Sequence, residues 1–109
     1  MERMHLGEFE EVVLLTVAVL YDEAYGVAIK RDIEERLARS VSVGALQSAL
    51  RRMEDKGFLA SRLGEATRVR GGKRKRYFTV TPSGKQALTE MQETRQQLWQ
   101  AIPSVAFDF

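Results

Sequence analysis

The chain has 109 residues, enough for one domain with a single modest core. Apolar residues make up 44% and charged residues 29%, an ordinary globular balance, and the absence of cysteine removes disulfide frameworks, thiolate metal sites and cysteine nucleophiles together. The net charge of +2 hides a lopsided distribution: Glu2, Glu8, Glu10, Glu11, Asp22 and Glu23 lie early, while Arg62, Arg68, Arg70, Lys73, Arg74, Lys75 and Arg76 crowd one short segment.

Such a basic patch focuses the field on one surface and suits a polyanionic partner; a solvated charged loop is the plainer alternative. The longest apolar run, VVLLTVAVLY, is about half of what a membrane-spanning helix needs. The expectation is a cytoplasmic protein with no membrane partner.

The first predicted helix runs from Leu6 to Tyr21, with Leu6, Phe9, Val13, Val17 and Leu20 at helical spacing. A second stripe of Val12, Leu15 and Val19 carries the apolar surface almost around the helix. Such a helix needs either a subunit partner or a central place within one chain. Gly26 marks a break. VAIKRDIEERL then predicts a short amphipathic helix with Ile29, Ile33 and Leu37 inward.

Ser42 is a natural N-cap for a third helix starting at Val43, whose inner stripe is Leu46, Ala49, Leu50 and Met53, with Gly57 placed as a C′ glycine. Its outer face offers Ala45, Gln47, Ser48, Arg51, Arg52 and Asp55. Small and hydrogen-bonding groups lead and arginines follow, the composition of a helix that enters a DNA groove.

FLASRL and KRYFTVT alternate with period two on either side of the polar loop Gly64 to Lys73, which predicts a two-stranded hairpin. Thr81-Pro82 reads as an N-cap followed by an N1 proline and opens a last helix. There Leu88, Met91, Arg95, Leu98 and Ile102 follow a 3-4 spacing, with Ala87 and Trp99 beside them and Pro103 at the end. One apolar seam along so long a helix exceeds what a small body covers, which calls for a partner helix. Trp99 belongs either to that seam or to the wall of a small-molecule effector pocket between subunits. The tail SVAFDF is expected to fray unless Phe107 and Phe109 dock against the body.

Other motifs fail on inspection. GGKRK lacks both the earlier glycine and the Ser or Thr after Lys73 that a Walker A loop needs. His5 is the only histidine, so no zinc set can be assembled without cysteine. Ser42, Ser48 and Ser83 have no histidine base, and the carboxylates sit beside Lys or Arg. The residues argue for neither catalysis nor a cofactor.

Helix, helix, capped helix, basic hairpin and long helix is the order of a winged helix-turn-helix, and the local words resemble the PadR family of bacterial transcriptional regulators. LGEFEEVVLLTVAVLYDEAYG is similar to that family's opening helix ending in a Tyr-Gly step. SVGALQSALRRMEDKGFL is similar to its recognition helix, and GGKRKRYFTVTPSGKQAL to its wing strand and the start of its final helix. The family commonly has tyrosine where this chain has Gln47 and often proline where it has Ser48, so no operator preference carries over.

The resemblance implies a homodimer built by the first and last helices, repressing transcription at a palindromic operator and released by a small effector near the dimer interface. The reading is therefore an α+β, mostly helical fold: a winged helix-turn-helix over residues 1–81, a dimerisation helix over 82–103 and a tail over 104–109. The expected DNA-binding residues are Ser42, Ala45, Gln47, Ser48, Arg51, Arg52, Arg68, Arg70, Lys73, Arg74 and Arg76, on double-stranded DNA in the bacterial nucleoid. The expected dimer residues are Phe9, Val12, Leu15, Val19, Leu88, Met91, Leu98, Trp99 and Ile102. The alternative is a winged-helix module whose basic hairpin binds an acidic protein.

Overall fold

The computed structural model describes residues 6–65 and 74–109. Its elements are α1 (Glu8–Leu20), α2 (Gly26–Leu37), α3 (Val43–Asp55), β1 (Leu59–Leu63), β2 (Arg76–Val80) and α4 (Pro82–Ala101), with 3-10 turns at Tyr21–Glu23 and Ser104–Phe107. Val13, Leu14 and Val17 of α1 meet Ile29 and Ile33 of α2 and Leu46, Leu50 and Met53 of α3 in a closed core. Phe58, Leu59 and Phe78 seal that core from the strand side, and Ala87 of α4 joins it.

The caps form as their residue types require. Ser42 accepts the Ala45 N–H at 2.9 Å, and Thr81 accepts the Gly84 N–H at 3.1 Å with Pro82 at the first helical position. Gly57, at φ +83°, ends α3 in a Schellman motif: its N–H reaches Glu54 O, and the Phe58 N–H reaches Met53 O at 2.8 Å. Gly84 is required for a different reason. A Cβ there would clash with the Phe58 carbonyl oxygen, so only glycine lets α4 lie this close to the β1 entry.

β1 and β2 pair antiparallel, with Leu59 opposite Val80 and Leu63 opposite Arg76. β2 has a second tether on its other edge. The Phe78 N–H donates to Ala24 O at 2.8 Å, and Tyr25 bridges Tyr77. This tether explains why the Tyr25-Gly26 step, which the resemblance placed at the end of the first helix, does not close it. α1 ends at Leu20, Tyr21 takes a positive φ of 53°, and Tyr25-Gly26 opens α2 instead of closing the first helix. Leu37, expected inward, is exposed, because α2 stops there and Ala38 turns left-handed (φ 51°) to begin the connection to α3. The tail does not fray: it forms the Ser104–Phe107 turn and lays Phe107 against Trp99.

Candidate nucleic-acid interface

α3 buries Leu46, Ala49, Leu50 and Met53 and leaves Gly44, Ala45, Gln47, Ser48, Arg51 and Arg52 exposed. At about 100° per residue, Gly44, Ser48 and Arg51 share the middle of the outer face, while Gln47 lies toward one edge, beside α2, and Ala45 and Arg52 toward the other. Among the described residues, the side chains of Gln47, Ser48 and Arg51 have no hydrogen-bonding partner. The Ser42 hydroxyl is used as the cap.

Arg52 is placed differently from Arg51. Its Nε donates to Glu10 of α1 at 3.4 Å, and Lys56 Nζ reaches the same carboxylate oxygen at 3.4 Å. Glu10 is buried, and it also accepts the Gly7 N–H at 3.2 Å, the return arm of a capping box. Burial disfavours its charge, but the Gly7 N–H, the Lys56 ammonium and the Arg52 guanidinium outweigh that and hold the carboxyl below its ordinary value. Arg52 thus ties the recognition helix to α1.

A groove of about 500 Å³ lies between the start of α2, the start of α3 and β2. Lys30, Gln47, Arg74, Lys75 and Arg76 give it polar and cationic walls, and Tyr25, Val43 and Phe78 give it apolar ones. The Gln47 amide rests beside Gly26, where an added methyl would touch its Nε2 at 3.4 Å.

The cations at the wing base are held in place by neighbours. Arg74 Nε donates to Gly64 O at 2.7 Å, and Arg76 donates to the Ser61 hydroxyl at 3.0 Å. Ser61 in turn donates to Glu54 of α3 at 2.6 Å, so wing and recognition helix share one hydrogen-bond chain. Lys75, which the charge pattern does not single out, lies 4.1 Å from the centre of the Tyr25 ring, itself edge-on to Tyr77 at 5.5 Å. Lys30 also joins this wall and pairs with Glu34 at 3.1 Å. Arg68, Arg70 and Lys73 fall outside the described residues.

The residues expected at a subunit interface divide in two. Phe9, Val12, Leu88 and Met91 are half-buried against the chain's own core, and Ile102 is half-buried. Leu15, Val19, Leu98 and Trp99 are exposed. Leu15, Leu88 and Trp99 line a groove of about 510 Å³ between α1 and α4, at whose edge Arg95 pairs with Glu11 at 2.8 Å. Among the described residues, no three His, Cys, Asp or Glu side chains gather as a metal site would need.

A capped helix with an unsatisfied polar face, flanked by a cationic two-stranded wing on a helical body, defines a winged helix-turn-helix protein of the DNA-binding regulatory class. The model of the transcriptional regulator PadR-like family matches residues 14–90, and the chain belongs to that family.

Solved structures agree. A PadR family transcription regulator from hypervirulent Clostridium difficile is 28% identical, covers 82% of this chain and 91% of its own, and superposes with a TM-score of 0.63. A transcriptional regulator from Clostridium thermocellum is 26% identical over 86% of this chain and 92% of its own, TM-score 0.62. A PadR-like transcription factor from Bacteroides fragilis is 25% identical over 84% of each chain, TM-score 0.71. No curated protein matches the sequence at a significant level.

Proposed function

We propose that the chain acts as a homodimeric repressor at a palindromic operator, with residues 1–81 reading DNA and residues 82–103 joining the subunits. The observation that carries this reading is the outer face of α3. Gln47, Ser48 and Arg51 stand exposed and unpartnered among the described residues, beside a groove walled by Arg74, Lys75 and Arg76. An α-helix fits the major groove of B-DNA. There Gln47 faces base edges, Arg51 meets phosphate or a guanine, and the wing cations follow the backbone or minor groove. The pairing of Arg52 with Glu10 makes Arg52 a brace first and a phosphate contact second.

The exposed side chains of α1 and α4 supply the subunit contact, and the groove containing Trp99 is the place for a small effector that releases the DNA. Two-fold symmetry then sets the two recognition helices about 34 Å apart, one turn of DNA.

The test is the salt dependence of binding to duplex DNA. The parent protein is expected to show log K falling steeply with log salt. Replacing Arg70, Lys73 and Arg74 together with Ala flattens that line by roughly one unit of slope per lost phosphate contact. Binding that is weak and insensitive to salt would point instead to a protein partner, and an unchanged slope in the variant would remove the wing from the interface.

A further inference from the structure

We infer that the segment Ser104–Phe109 is a clasp that seats on a second copy of this chain, extending the α1–α4 subunit contact on whose existence the inference rests. The tail is built, not loose. Pro103 prevents α4 from continuing, and Ile102 turns the chain aside in an extended conformation. The Ala106 N–H donates to Pro103 O at 2.9 Å and the Asp108 N–H to Val105 O at 3.2 Å, closing the 3-10 turn. The turn brings Phe107 to Trp99, ring centres 6.4 Å apart, and Phe109 to Phe107 at 6.2 Å.

These rings face water. Trp99 is 69% exposed, Phe107 56% and Phe109 fully, with Leu98 and Val105 exposed beside them. Aromatic side chains gain most from contact when buried on both faces, and here one face of the row has no cover among the described residues. Within α4 only Gly84 and Ala87 are buried, so its last turns stand clear of the body. The described residues extend 62 Å along the longest axis, with a radius of gyration of 16.9 Å; a compact domain of this length would have about 13 Å.

A second copy fits this surface for three reasons. The patch continues across the α1–α4 groove to Leu15 and Val19, which are themselves uncovered. Together the exposed apolar side chains present on the order of 900 Å², close to what each partner contributes to a stable complex. Among the described residues lining the groove, the two charged ones, Glu11 and Arg95, already pair at 2.8 Å, and the seating tail adds the single carboxylate of Asp108. Two identical groove faces can therefore meet across a two-fold axis with their lining charges already paired, the partner's Phe107 and Phe109 covering Leu15 and Val19 of the first copy and the reverse.

Trp99 is the only tryptophan, so its emission reports this contact directly. The experiment is a dilution series of the full chain and of a Phe107→Ser, Phe109→Ser variant, followed by Trp99 emission and by sedimentation. The full chain is expected to sediment as a dimer and to shift its emission to the red on dissociation, and the variant to dissociate at a concentration at least tenfold higher. Phe109→Ser alone, at a position no fold contact needs, is expected to move the midpoint in the same direction by less. A dimer whose midpoint is unchanged in both variants overturns the clasp while leaving the dimer intact. A full chain that sediments as a monomer at every micromolar concentration overturns the dimer and the clasp together.

Discussion

Gln47 and Glu10 do opposite work in the reading domain. Gln47 has spare hydrogen-bonding capacity on an exposed face, and its amide can bond an adenine through two groups at once. Gln47→Ala is therefore expected to relax preference at one base pair per half-site by about 1–3 kcal/mol, measured by competition between site variants. A uniform loss on every sequence would show that Gln47 supports the helix without reading bases. Glu10 spends its capacity inside the molecule, on the Gly7 N–H, Lys56 and Arg52.

A carboxyl whose folded value is depressed stabilises the fold above its unfolded pKa and loses that contribution as pH falls through the folded value. Glu34, held down by the Val41 N–H and Lys30, acts in the same direction. Denaturation curves should thus show stability falling below about pH 5. Glu10→Gln should cost about 1–2 kcal/mol at neutral pH, with the difference shrinking toward pH 3. A constant difference across that range would contradict an ionic role for Glu10. The candidate cations on α3 were legible from their face of the helix. The distinction between Arg51 and Arg52 was not, because Glu10 lies 42 residues away and periodicity shows faces but no partners.

At the scale of elements, local chemistry left clear marks. Ser42, Gly57 and Thr81-Pro82 delimit α3 and α4 because caps and positive-φ turns are decided by the few residues around them. The alternation of β2 likewise showed Phe78 inward. Long-range contacts decided the rest. α1 stops at Leu20 where the following turn is drawn to β2 through Ala24 and Tyr25, a constraint carried by residues more than fifty positions on. Lys75 looked like one cation among several, and its stacking on Tyr25 depends on the same bridge. The sequence left the tail open between fraying and docking its phenylalanines, because their partner is not local; Phe107 docks on Trp99, met only after Pro103 turns the chain. The wing base and α3 are joined through Arg76, Ser61 and Glu54, so α3 and the hairpin form one hydrogen-bonded unit.

The described residues present two distinct surfaces. One gathers α3, the start of α2 and the wing base around a cationic groove. The other is the apolar face of α1, α4 and the tail, which one copy leaves uncovered. α1 connects them, because its adjacent carboxylates hold Arg52 of the recognition helix through Glu10 and Arg95 of the subunit helix through Glu11. Under the proposed function, a ligand in the Trp99 groove would act on α4 and, through α1, on the helix that braces α3. A dimer that reads two half-sites with α3 is the central element of the proposed function. The most direct measurement is a hydroxyl-radical footprint on a DNA fragment selected by the protein from its source genome. Two symmetric protected half-sites with centres about ten base pairs apart are expected. A single asymmetric patch, or protection that does not depend on sequence, would contradict that function.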